Sequence, residues 1–146
     1  MTTGLDVFDR TVQETNLWLK MLSERLRVED RHLAYLALRA TLHALRDRIG
    51  PQNAVHLGAQ LPMLLRGLYY EGWRMTATPT KERRTEQFVD HVRSEMRGAG
   101  AIDIETAIRA VFDVMWEKID RGEIAKLIEM FPEELRELWP RLARAD

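Results

Sequence analysis

The sequence predicts an all-α protein, an internally duplicated helical bundle of two four-helix units. Three observations predict it. Apolar residues return at spacings of three and four over long stretches, which is the period of a helix face. No run of alternating β-branched residues competes with that period. A shift of seventy positions matches the chain to itself without a gap from Ala37/Ala107 to Tyr69/Trp139, with nine identities in 33 columns, against roughly two or three from ordinary residue usage. The identities include Arg39/Arg109, Ile49/Ile119, Leu57/Leu127, Pro62/Pro132, Leu65/Leu135 and Arg66/Arg136. Many other columns keep chemical type, as in Leu42/Phe112, Leu45/Met115 and Asp47/Glu117. Self-similarity at a fixed offset marks a repeated supersecondary unit. Residues 5–70 and 79–140 are therefore read as two copies within one helical domain spanning 1–146.

The elements follow in order. Leu5, Phe8, Val12, Thr15, Leu19, Leu22 and Leu26 form one stripe of a first helix. A second helix runs from about Asp30 to Ile49, with Leu38, Leu42, Leu45 and Ile49 on one side and Ala37, Ala40 and Ala44 on another. A helix apolar on most of its circumference is central. Gly50 then Pro51 reads as the cap and first position of a third helix; the second copy has Asp120 with Glu123 three residues on, a capping-box pattern. Pro62 and Pro132 each follow a large apolar residue and open a short fourth helix, since proline is tolerated in a first turn. Between the copies, RMTATPT is the most loop-like segment. The second copy's first helix is expected around Lys81–Met96, with Phe88 in register with Trp18, and its second over Asp103–Ile119.

Composition narrows the function classes. Twenty-two basic and 23 acidic residues are dispersed along the chain, net charge −1, so there is no extended basic face of the kind that neutralises phosphates. No nucleic-acid partner is expected. The absence of cysteine removes disulfides, thiolate nucleophiles and thiolate metal sites, and fits a reducing compartment. The opening MTTGLDVFDR lacks the basic and apolar regions of a signal peptide. Ile49–Leu65, the longest stretch without formal charge, carries Gln52, Asn53, His56, Gln60 and two prolines and is a poor membrane span. The expectation is a soluble cytoplasmic protein without a membrane partner.

Chemistry-bearing patterns are sparse. Ser23 and Ser94 are each followed by glutamate in a helical setting, not in a glycine-flanked elbow. Gly98, Ala99 and Gly100 form a small-residue turn with no Lys-Ser or Lys-Thr pair after it, so it is read as an interhelical turn and not a phosphate loop. Glu29 and His32 have the i, i+3 spacing of a di-metal helical bundle, but the matching positions hold Ala99 and Ile102, and a solvated helix start is the preferred reading. His32, Arg39, His43 and Arg46 share a narrow sector of the second helix. The favoured reading is a solvated edge neutralised by Asp47; the alternative is an anion site with Arg39 as bidentate donor and His43 as titratable partner. Arg39/Arg109 and Arg66/Arg136 are the charged identities between the copies and are read as structural, pairing with carboxylates or helix-end carbonyls. The aromatic segment Tyr69, Tyr70, Trp73, Met75 is read as packing between the halves, with an exposed anchor as the alternative.

The strings FDRTVQETNLWL, ALRATLHALRDRI, HLGAQLPMLLRGLYYEGW and FPEELRELWP together resemble a bacterial and archaeal family known as domain of unknown function 2267. The similarity spans about Leu5 to Pro140. The resemblance implies a small all-helical bacterial protein and brings no activity, cofactor or catalytic residue with it.

Taken together, the residues point to a non-enzymatic helical module that binds another protein or itself, with Tyr70, Trp73 and Met75 as the candidate surface. The runner-up is a binder of a small anionic ligand, or an enzyme, with a site between the copies built from Arg39, His43, Arg66, Tyr69 and Tyr70. No catalytic residue, metal or cofactor is assigned.

Overall fold

A computed structural model describes residues 2–97 and 102–144, so the Gly98–Gly100 turn lies outside the described residues. Nine α-helices and no strands occur among those described: α1 (Asp6–Leu26), α2 (Arg31–Ile49), α3 (Pro51–Gly58), α4 (Met63–Tyr70), α5 (Thr85–Glu95), α6 (Ile104–Lys118), α7 (Arg121–Glu129), α8 (Glu133–Arg136) and α9 (Arg141–Arg144). A 3₁₀ turn, Met75–Ala77, interrupts the linker between α4 and α5.

The helix starts follow local chemistry. Asp30 accepts a hydrogen bond from the His32 N–H at the head of α2, Asp103 one from Thr106 at the head of α6, and Asp120 one from Glu123 at the head of α7. Gly50, at φ 87°, turns the chain so that Pro51 opens α3. Pro62 and Pro132 precede α4 and α8 with the same backbone angles, φ −56° and ψ 151°. Helix α5 begins at Thr85, four residues later than the expected Lys81. The reason is local: the Gln87 Oε1 accepts from the Arg83 and Arg84 N–H groups, and Glu134 from that of Thr85, while the residues before them are held by α2.

The four long helices α1, α2, α5 and α6 form one bundle. Helix α1 packs on α2 and α6, and α5 on α2 and α6. The segments before and after the linker thus contribute two long helices each to one core, with contacts both within and between the segments. Helices α3, α4, α7 and α8 are too short to bury a full stripe alone and pack around that bundle. Helix α2 is the hub, touching α1, α3, α4, α5 and α6. Its Leu42 and Leu45, with Phe112 and Met115 of α6, are fully buried. Phe112 stacks on Trp139 with ring centroids 4.0 Å apart, and Phe88 and Phe131 complete the aromatic cluster.

Helix α1 corrects the expected stripe. Leu22 is buried, but Leu5 and Phe8 are exposed, and the inward arc is Thr11, Trp18 and Leu22. Burying the indole of Trp18 removes more apolar surface than any leucine does, and that rotates the helix.

Candidate functional site

The polar sector of α2 is split: His32 is exposed and Arg39 half-buried, whereas His43 and Arg46 are interior. His43 and Arg46 are 2% and 3% exposed, and both reach across to the C-terminal end of α4. The His43 Nε2 lies 2.8 Å from the Leu68 carbonyl oxygen. Arg46 donates from Nη1 to the carbonyls of Tyr69, at 2.8 Å, and Glu71, at 3.0 Å, and from Nε to the Asp47 carboxylate at 2.8 Å. A helix ends with unpaired carbonyls, and His43 and Arg46 take up those of α4 from within the protein. Burial pushes the His43 pKa below its usual value, against the opposing pull of the Leu68 carbonyl; Arg46 and Arg39 lower it further and Glu95 raises it.

The same cluster continues into α5 and the linker. Asp47 faces His91, with Oδ2 3.7 Å from Nε2, and the Glu82 Oε1 is 3.2 Å from the other ring nitrogen. Thr80 donates its hydroxyl to Glu82 and its N–H to the Asp47 carbonyl, both at 2.8 Å. Arg48 donates to the Glu82 carbonyl at 2.7 Å. The His43 Nδ1 lies 3.9 Å from Glu95. Sequence reasoning missed Asp47, Glu82, His91 and Glu95 as a group, because they come from three elements with no shared periodicity. Among the described residues, no three His, Asp or Glu side chains are arranged to hold a metal ion.

Of the other sequence-predicted residues, Arg39 and Tyr69 border this cluster, since Arg39 acts electrostatically on His43 and Tyr69 supplies a carbonyl to Arg46. Arg39 meets only the exposed Glu71, at 3.3 Å. Arg66 ties the α3–α4 joint, donating to the Gly58 carbonyl at 2.9 Å and the Leu61 carbonyl at 3.0 Å. Arg136 makes the corresponding bond to Phe131, at 2.9 Å, and Arg109 donates to the Glu137 carbonyl at 2.7 Å. The buried Tyr69 hydroxyl donates to the Ala54 carbonyl at 2.7 Å, and burial drives its pKa far up, so it stays a neutral phenol. Tyr70 lies edge-on to Tyr69, stacks on Trp73 and sits over Gly58. Tyr70 and Trp73 are half-buried against the core, whereas Met75 is exposed. His32 stacks on Tyr35 at the exposed head of α2.

Two surfaces remain open. A cavity of about 240 Å³ lies between α3 and α7. Its walls pair residues seventy apart: Asn53 with Glu123, His56 with Lys126, Leu57 with Leu127 and Gln60 with Met130. The second surface joins the start of α1 to the start of α4, where Leu5, Val7, Phe8, Met63 and Leu64 are each about half exposed. The Thr11 hydroxyl accepts the Leu64 N–H at 2.8 Å and holds the two helix starts together.

A family model described as uncharacterized conserved protein (DUF2267) matches residues 15–138. The chain belongs to this family. That span takes in most of α1, the whole polar cluster and the α3–α7 cavity, so in this DUF2267 member the buried cluster and the cavity both lie within the family domain, whereas Leu5, Val7 and Phe8 lie before the matched span. No curated protein matches the chain at a significant level. No helix among the described residues is long and apolar enough to cross a membrane.

Proposed function

We propose that this protein is a non-enzymatic helical module that binds a second protein chain or another copy of itself through the surface formed by the starts of α1 and α4. The observation that carries this reading is that Leu5, Val7, Phe8, Met63 and Leu64, five large apolar side chains, are each about half exposed on the two helix starts that the Thr11–Leu64 hydrogen bond joins. Large apolar side chains left exposed near one another are a mark of an interaction site. The buried cluster supports a non-catalytic reading as well, since His43, Arg46 and Asp47 spend their hydrogen bonds on carbonyls and on one another. This surface is separate from Tyr70, Trp73 and Met75, of which Tyr70 and Trp73 are half-buried and Met75 is exposed. The test is sedimentation over a range of concentrations, with chemical cross-linking in a cell extract, for the native protein and for Phe8→Glu and Leu64→Glu. Association that is lost in both variants while their helicity is unchanged supports the proposal. A monomer with no cross-linked partner, or association indifferent to both substitutions, overturns it.

The α3–α7 cavity favours a second reading, a small-ligand site between the halves. Its floor of Leu57, Ile124 and Leu127 suits an apolar group, and Asn53, His56, Glu123 and Lys126 at the rim would orient it. This uses none of Arg39, His43, Arg66, Tyr69 or Tyr70. A ligand whose binding is weakened by Leu127→Trp, with folding intact, would favour this reading over the first.

We also infer that the two halves are copies of one unit. Supporting this, α3 and α7 start seventy residues apart, as do α4 and α8, Pro62 and Pro132 share one backbone geometry, and Arg66 and Arg136 bond to equivalent chain segments. Superposition of residues 5–70 on 79–140, with the helices in one order and at like angles, is the check.

A further inference from the structure

We propose that His91 is a pH-sensitive latch that fastens the segment joining α4 to α5 onto α2, closed when the imidazole is protonated and loosened when it is neutral. The proposal is independent of the interaction surface at the starts of α1 and α4. It rests on where the ring sits. His91 projects from α5 into a half-buried slot between two carboxylates that belong to different elements, Glu82 of the linker at 3.2 Å and Asp47 of α2 at 3.7 Å. All three side chains are largely shielded from solvent. A protonated ring offers an N–H to each carboxylate; a neutral ring has only one. The loss of one proton therefore removes the ion pair with Asp47 and leaves two carboxylates facing the same site with no cation between them.

The surrounding charges set the direction of the response. From α2, Arg46 pairs with Asp47 through Nε, and Arg48 bonds to the Glu82 carbonyl and is electrostatically near the Glu82 carboxylate. From the linker come Glu82 itself, with the Thr80 hydroxyl donating to it, and the exposed Arg83 close to Arg48. From α5, Glu95 adds a further negative charge and is also the group facing His43 of α2. The hydrogen bond to Glu82 raises the pKa of His91, burial lowers it, and the charges of Glu82, Asp47 and Glu95 raise it further, so the balance is upward. For Glu82, burial pushes upward, but the bonds from His91 and Thr80 together outweigh it and hold the carboxyl below its usual range. Glu82 is thus ionised before His91 begins to titrate. A folded-state pKa above the ordinary histidine value means that the latch is fully set below about 6.5 and is lost as pH rises through the raised value.

The linker carries its own reporter. The Thr80 N–H donates to the Asp47 carbonyl at 2.8 Å, a bond that breaks when the segment leaves α2. The experiment is native-state hydrogen exchange of the full chain by NMR from about pH 5.5 to about pH 8.5, corrected for intrinsic exchange, with the Leu42 amide in the core of α2 as reference. Thr80 protection is expected to fall with rising pH, by about tenfold for each unit by which the latched His91 pKa exceeds that of the released ring, while Leu42 protection holds. His91→Gln should show low Thr80 protection that no longer varies with pH. Glu82→Gln, a milder change, should lower the titration midpoint of the His91 ring protons as well as Thr80 protection. Protection of Thr80 that is constant with pH, a pH response that survives in His91→Gln, or one abolished by His43→Gln instead, would overturn the proposal.

Discussion

Arg46 shows how a single charged residue can belong in a core helix. Its guanidinium is desolvated, but Asp47 and the carbonyls of Tyr69 and Glu71 meet its N–H groups, so the charge is paired and the end of α4 is capped by the same side chain. Removing one partner of a buried pair leaves the other uncompensated. Arg46→Ala is therefore expected to cost about 3 to 5 kcal/mol in denaturant unfolding. Arg39, one of the residues retained between the copies, meets only an exposed carboxylate, and Arg39→Ala should cost about 1 kcal/mol or less. Equal losses in the two variants would contradict this account. The repeat alignment pointed toward Arg39 because it is shared with the second half. The larger structural role falls to Arg46, whose counterpart is Trp116, and Trp116 instead lies beneath the guanidinium of Arg121 at 4.4 Å. Retention between copies and energetic weight are separate properties.

Among the helices, the α3–α4 joint is held by close approach. Helix α3 ends at Gly58, where a Cβ would collide with the ring and hydroxyl of Tyr70, while Gly67 in the middle of α4 has open space around the same position. The two glycines predict opposite outcomes. Gly58→Ala should destabilise by about 1 to 3 kcal/mol, the usual cost of overpacking. Gly67→Ala should stabilise by about 0.5 to 1 kcal/mol, because alanine loses less conformational freedom in a helix interior. Thermal or denaturant unfolding of both variants is the measurement, and a stable Gly58→Ala would mean that Tyr70 does not rest on α3. For the long helices the prediction is the ordinary one: Leu42→Ala, at the bundle centre, should cost about 2 to 5 kcal/mol. Helix starts were legible in the sequence because caps and prolines act within a few residues. The inward face of α1 was not, since Trp18 and the leucine stripe offer two overlapping arcs and only the neighbours choose between them.

For the molecule as a whole, the buried His43 and the half-buried His91 act on stability with opposite signs. His43 has a lowered pKa, so the unfolded chain binds the extra proton first; its contribution is intact above about 6.5 and is lost as pH falls through the lowered folded value. His91 has a raised pKa, so its contribution is intact below about 6.5 and is lost as pH rises. The native protein is expected to show a shallow pH dependence around neutrality. His91→Gln should unmask stability that rises with pH, and His43→Gln stability that falls with it. Urea unfolding at intervals between about pH 5 and pH 8.5 checks both signs, and parallel slopes in the two variants would refute the assignment.

The helical class, the places where most helices begin, the central position of α2 and the family are all legible along the chain. Each of these depends on spacing along the chain, on caps within a turn, or on strings of residues that can be read in order. The tertiary structure decided how the long helices share one bundle, which face of α1 turns inward, and that His43 and Arg46 are interior groups. It also brought Asp47, Glu82 and His91 together from α2, the linker and α5. These depend on contacts between residues tens of positions apart, where burial of the largest apolar surfaces and pairing of the leftover carbonyls and charges are settled together. No local pattern carries that information, because the same polar sector on a helix is solvated or buried according to what is packed against it.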